Sequence, residues 1–298
     1  MGGGAYSSSD FVSYSRSMKK SVDASTLRVT SGQTWSLSSM KETMNPKDKI
    51  RECINTDEHP NTVPVILALD VTGSMGAACK ETAEALSQIM KTLYDKFKDV
   101  EVCVMGVGDF ECDDAPLQVS QFESDVRVAQ QLDQIWMEHG GGGNSYESYT
   151  APWVYGLYRT KLDAYDKQGR KGIIITMGDE PLNPDLPVNT VKDYLGSVKD
   201  ANQFGSFETS KLYEDASKKF DIFHIAVDDS SSSYYRHRTK ARETFVPILG
   251  NRFKESSINN LGKTICECIE ESISGSRPAE HMKEDAKLQT DDSGAIVW

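Results

Sequence analysis

The segment Val63-Pro-Val-Ile-Leu-Ala-Leu-Asp70-Val-Thr72-Gly-Ser74-Met-Gly76 decides the fold. Apolar residues fill the run from Val63 to Leu69 and stop at a carboxylate. So short and so apolar a run reads as a strand buried on both faces, the kind found in parallel sheets. Thr72 and Ser74 follow at alternate positions, with Gly73 and Gly76 loosening the backbone around them. The strand thus delivers Asp70 to its carboxyl end, and the next turn aims two hydroxyls at the same point. Three hard oxygen donors converging on one spot suit a small hard cation such as Mg²⁺. The competing reading is a helix cap, since Asp and small hydroxyl residues also satisfy the open N–H groups of a helix start.

Outward from this segment, apolar strands alternate with amphipathic helices. Ala77 to Phe97 has helical spacing, Val100 to Gly108 reads as a strand, and Leu117 to Phe122 as a half-exposed edge strand. Val126 to Met137 is helical, Gly140 to Gly143 breaks the pattern, and Tyr149 to Tyr165 is helical again. Gly172 to Met177 is the most apolar strand. A helix over Phe207 to Lys219, a strand over Ile222 to Val227, a short last strand over Phe245 to Leu249 and a closing helix over Ile258 to Ile273 complete the series. This order predicts an α/β fold with a doubly wound, mostly parallel central sheet and helices on both faces. The folded unit is expected over residues 46–273. Residues 1–45, rich in Ser, Thr and Gly, read as a flexible or loosely docked arm, and 274–298 as a flexible tail ending in Ala-Ile-Val-Trp298.

In such a sheet the functional site lies beyond the carboxyl ends of the strands. Three segments place oxygen donors there. They are Asp70-x-Thr72-x-Ser74, the loop Asn144-Ser-Tyr-Glu147-Ser after four glycines, and Thr176-Met-Gly178-Asp179-Glu180 after the most apolar strand. Each alone is a modest signal; together they favour a cation site over a cap. The acidic stretch Asp109-Phe-Glu111-Cys-Asp113-Asp114 reads as a solvated loop at the rim of that site. Tyr234, Tyr235, Arg236 and Arg238 could line a recognition surface, or simply lead into a helix. The five histidines are scattered, with no pairing that suggests a base.

Over roughly residues 60–272 the chain resembles a von Willebrand factor type A domain, of the intracellular bacterial or phage-like kind. Asp-x-Thr-x-Ser-Met-Gly after an apolar strand is similar to that family's metal-ion-dependent adhesion site. The resemblance implies a Rossmann-like fold and Mg²⁺ (or Mn²⁺ or Ca²⁺) held directly by Thr72 and Ser74. Asp70 would act directly or through water, and Asp179 through water. The family's second loop often supplies a threonine; here Asn144, Ser145 and Glu147 stand in that loop, with Asn144 and Glu147 the expected ligands. The implied function is a non-catalytic interaction module whose metal takes an Asp or Glu from another protein, an AAA+ ATPase being one candidate. The alternative is a phosphohydrolase similar to haloacid dehalogenases, with Asp70 as nucleophile in Asp-Val-Thr-Gly. It lacks a phosphate-pairing lysine ahead of Gly178-Asp179, since Lys171 lies at the far end of the strand.

Composition narrows the field. A net charge of −12 argues against a duplex nucleic-acid binder, which needs a basic face. No run approaches the roughly 18 apolar residues of a membrane helix. The first ten residues lack the basic start and apolar core of a secretory signal. The six cysteines form no Cys-x-x-Cys pair, so zinc is not expected and reduced thiols in the cytoplasm are. The glycine run at 140–143 has no Lys-Ser/Thr behind it and so lacks a nucleotide-phosphate loop.

Overall fold

The apolar run becomes β1 (Val63–Asp70), an inner strand of a six-stranded sheet. The structure, a computed structural model, describes residues 4–23, 25–32, 37–97, 99–138, 146–196, 198, 205–228 and 234–275. The remaining strands are β2 (Val100–Val107), β3 (Leu117–Val119), β4 (Gly172–Gly178), β5 (Phe220–Asp228) and β6 (Phe253–Ser257). Their spatial order is β6-β5-β4-β1-β2-β3. Every pairing is parallel except β2 with β3, so the sheet is mixed but mostly parallel.

Alternation along β1 explains why the run is apolar throughout. Val65, Leu67 and Leu69 enter one core, and Ile66 and Ala68 enter the other. On the first face lie α1 (Ser8–Ser17), α2 (Gly76–Lys96), α3 (Arg127–Leu132) and α8 (Leu261–Gly275). On the second lie α4 (Ala151–Arg159), α5 (Val188–Leu195), α6 (Thr209–Ala216) and α7 (Tyr234–Leu249). Truncating a fully buried β1 residue such as Ile66 to alanine would cost about 2–5 kcal/mol, because a core packed on both faces cannot collapse into the gap.

Several local expectations are corrected. Phe245 to Leu249 is not a strand but the last turns of α7, where Phe245 and Leu249, four apart, are buried while Val246 is exposed. The last strand is instead β6, Phe-Lys-Glu-Ser-Ser, whose polar content hid it; as the sheet's outer strand it needs few apolar residues. The helix expected over 149–165 stops at Arg159. Thr160–Leu162 then pairs in parallel with Arg51–Cys53, and a short helical turn follows at Asp163–Asp166. Helix α5 had no counterpart in the periodicity reading. The edge strand β3 is buried rather than half exposed. Val119 N–H donates to Met44 C=O at 2.7 Å, and Arg51 Nη2 donates to Val119 C=O at 2.7 Å, so the chain before β1 covers this edge.

The described residues from 4 to 32 are tied to the sheet's first face. Phe11 on α1 is buried in that core, and the hydroxyls of Tyr6 and Ser87 are hydrogen bonded. Lys20 Nζ donates to both oxygens of Asp133, at 2.5 and 2.7 Å, and Tyr14 Oη donates to Oδ2 at 2.8 Å. Lys20 is only 7% exposed, so removing its partner would strand a buried ammonium. Asp133→Ala is therefore expected to cost about 3–5 kcal/mol in chemical denaturation. It should also speed limited proteolysis within residues 4–32, whereas a solvated pair would leave both measurements within about 0.5 kcal/mol of the parent.

Candidate metal site

Chain order places β2 on one side of β1 and β4 on the other, so the carboxyl ends of β1 and β4 flank the point where the strand order reverses. Asp70 ends β1, and Asp179 follows β4 directly, with Leu69 and Met177 paired between the two strands. Asp70 is fully buried. Its Oδ1 accepts from Thr72 N–H at 2.9 Å and from Thr72 Oγ1 at 2.5 Å, and its Oδ2 accepts from Tyr149 Oη at 2.6 Å. The Thr72 hydroxyl gives its proton to Asp70. Two bonds already reach Oδ1, so Asp70 is better disposed to orient Thr72 and any bound water than to chelate through both oxygens.

Tyr149 is the residue that sequence reading missed. It sits at the entry to α4, fully buried, and Gly178 makes room for its phenol. A Cβ built on Gly178 would fall 1.8 Å from Tyr149 Oη. The ring meets His224 edge-on at 5.0 Å, and His224 stacks on Phe245 at 3.7 Å. Burial pushes the His224 imidazole down to about 3, so it is neutral, and its Nδ1 lies 2.9 Å from Thr176 Oγ1. Burial, and then the charge of Asp70, push the Tyr149 phenol well above its ordinary value, so it remains a proton donor. No local pattern encodes this contact, which joins positions 79 residues apart. The glycine within the apolar β4 strand was the one available signal.

The loop before α4 brings in Glu147, whose backbone forms an isolated parallel bridge with Leu182 after β4. Glu147 is buried at 5% exposure, and its Oε2 has no hydrogen-bond partner among the described residues. Burial, then the charges of Asp70, Asp113, Asp109 and Glu180, raise its carboxyl far above the carboxylate range. Asp70 is raised as well, by burial first and by Asp179 second. Asp109 and Asp113 are not a solvated rim as expected: both are buried, and Asp113 Oδ2 accepts from Asp109 N–H at 2.7 Å. Ser148 ties that turn to the loop, with its Oγ accepting from Phe110 N–H at 3.0 Å.

Among the described residues no three His, Cys, Asp or Glu side chains come close enough to hold a metal by themselves. A cation here would need hydroxyl donors beside the carboxylates, as the alternating Thr72 and Ser74 suggest. The structure brings Asp70 near Asp179 and near Glu147, but not all three into one ligand sphere. Asn144 and Ser145 lie outside the described residues, as do the side chains of Ser74, Tyr234, Tyr235, Arg236 and Arg238.

No family model matches the chain, and no curated protein does. Among solved structures, the pilus adhesin SpaC from Lactobacillus rhamnosus GG is similar in two crystal forms. The open conformation aligns with 11% identity over 76% of this chain at a TM-score of 0.47, and the second form with 12% over 76% at 0.48. The chain spans about a third of SpaC's length, 31% and 32% in the two forms. The vWF domain of the type V pili tip protein Mfa5 from Porphyromonas gingivalis aligns with 11% identity over 73% of this chain and 97% of its own, at 0.45. Among the described residues no helix is long and apolar enough to cross a membrane.

Two outcomes follow from the geometry. Gly178→Ala should expel Tyr149 from Asp70 and lower stability by about 1–3 kcal/mol, the range for overpacking. Tyr149→Phe should lose less, by denaturant midpoint. Second, Asp70 and Glu147 hold protons more tightly folded than unfolded, so their contribution is complete at acid pH and is lost as pH rises. The metal-free melting temperature should therefore fall between about pH 5 and pH 8, and Glu147→Gln should flatten that slope. An unchanged slope in the variant would show that Glu147 does not carry the effect.

Proposed function

We propose that the chain is a divalent-cation-dependent protein-interaction module of the von Willebrand factor A type. The observation that carries this reading is the buried Glu147 Oε2, without a hydrogen-bond partner among the described residues, beside the buried Asp70 at the sheet's switch point. Carboxylates gathered this way gain from a cation, and the available donors fit Mg²⁺, with Mn²⁺ or Ca²⁺ as substitutes. Thr72 and Ser74 would hold the ion directly, and Asp70 and Asp179 through water or a single oxygen. Glu147 and Asn144 would complete the protein side from the second loop. Mg²⁺ keeps open or water-filled positions when protein ligands are few, and an Asp or Glu of another protein would take one of them.

Asp70 supports binding better than nucleophilic chemistry. Both its oxygens already accept hydrogen bonds, it is wholly buried, and Lys171 sits at the opposite end of β4 from Asp179. The reading extends to a cytoplasmic setting, where the described cysteines Cys53, Cys103, Cys112, Cys266 and Cys268 stay reduced, and to a protein partner such as an AAA+ ATPase.

The test is titration calorimetry with MgCl₂, followed by capture of partners with and without EDTA. Wild type should bind one Mg²⁺ and release protons as it does so. Asp70→Ala should lose metal binding and partner capture while keeping the wild-type circular dichroism. Partner capture that survives both chelation and the substitution would sink the proposal.

A further inference from the structure

The opposite end of the sheet has the reverse electrostatics. At the amino ends of β4, β5 and β6 lies a cavity of about 530 Å³. Lys171 immediately precedes β4, Arg252 immediately precedes β6, and Asp221 is the second residue of β5. Asp221 is 5% exposed. Its Oδ1 accepts from Arg252 Nη2 at 2.9 Å and lies 3.7 Å from Lys171 Nζ, while its Oδ2 accepts from Ser272 Oγ at 2.8 Å. One carboxylate therefore answers two cations. Arg170, on the same wall, adds a third, and its hydrogen bonds go to neutral oxygens of Thr62 and Gln168. The one other acid among the described lining residues, Glu271, is paired with Lys254 at 2.8 Å. Among the described lining residues, three cations against the single carboxylate of Asp221 leave two positive charges, in a chain whose net charge is −12.

The cations are also pre-positioned. The Arg252 guanidinium lies over the Phe223 ring at 5.6 Å and also donates to Asp221. A cation fixed in this way loses little side-chain freedom when a ligand arrives. Arginine forks match phosphate geometry, and a phosphate monoester carries about −1.5 to −2 charges at neutral pH, which balances the surplus. A carboxylate would leave half of it. The volume exceeds what a bare ion needs and falls within the range of organic-ligand pockets, roughly 300–1,000 Å³.

We propose that this cavity binds a small phosphate monoester, with Arg170, Lys171 and Arg252 holding the phosphate. The site is remote from Asp70 and independent of the metal reading. Calorimetry and amide NMR in EDTA, at fixed ionic strength set with chloride, would use inorganic phosphate and adenosine monophosphate as probes. Saturable binding should appear for at least one, with amide shifts at Asn251, Arg252 and Ser272. Tighter binding of the nucleotide would identify the ester, and equal binding the phosphate group alone; both support the assignment. The double variant Arg170→Gln, Lys171→Gln spares the Arg252–Asp221 pair and should weaken binding at least tenfold with unchanged circular dichroism. The wild-type shift map keeps the proposal testable if that variant fails to fold. No saturable binding of either probe up to about 10 mM, shifts mapping elsewhere, or undiminished affinity in a folded double variant would overturn it.

Discussion

The burial of Asp70 is the constraint on which the functional end of this molecule depends. A carboxylate at the end of a strand covered on both faces loses its water, and the protein returns hydrogen bonds, among them two from Thr72 and one from Tyr149. Removing a carboxylate from water is costly even with good hydrogen bonding, and neighbouring acids raise the cost. The surrounding structure is shaped by this demand. Gly178 lacks a side chain so that Tyr149 can reach Oδ2. His224 and Phe245 form an apolar, uncharged wall that holds the Tyr149 ring in place. Asn183 Oδ1 accepts from Thr150 N–H at 3.1 Å, and its Nδ2 donates to Thr150 Oγ1 at 2.6 Å, so the loop after β4 is stitched to the residue that follows Tyr149.

What the sequence revealed, and what it hid, follows from the range of the interactions involved. β1 and β4 were legible because strands buried on both faces must be apolar at every position, a local signal. The placement of Asp70 and Asp179 at strand ends followed from those boundaries. β6 was not legible, because its polar composition satisfies no local template and its identity comes from pairing with β5. The apolar cluster at Phe245 to Leu249 misled for the complementary reason: a run this short fits either period, and only packing against the second core shows that Phe245 and Leu249 share a helix face. Tyr149, Gly178 and the burial of Asp109 and Asp113 belong to a third kind, contacts between distant segments that no window of sequence contains.

The sheet is polarised in charge as well as in direction. Its carboxyl end gathers Asp70, Asp179, Glu147, Asp109 and Asp113, while its amino end on the β4–β6 side gathers Arg170, Lys171 and Arg252 around Asp221. Parallel topology makes this separation easy to build, since every β-to-α turn falls at one end and every α-to-β turn at the other. The two ends can then be elaborated independently. The acidic end uses side chains at strand termini, and the basic end uses residues just before β4 and β6.

Helix polarity cannot balance the acidic end alone. α2 begins at Gly76, a few residues beyond Asp70, and a helix start carries about half a positive charge. That offsets part of one carboxylate, and its effect fades within the first turn. Glu147 lies outside this compensation, and its neighbours Asp70, Asp113, Asp109 and Glu180 are all acids. Two states can satisfy such a cluster: carboxyls that keep their protons, or a cation that replaces them. The hydroxyl of Thr72 distinguishes between these states. Its proton is already committed to Asp70, so it can offer a neighbouring carboxyl no second donor. Here the Thr72 and Tyr149 hydroxyls both donate to Asp70, bonds that favour its charged form.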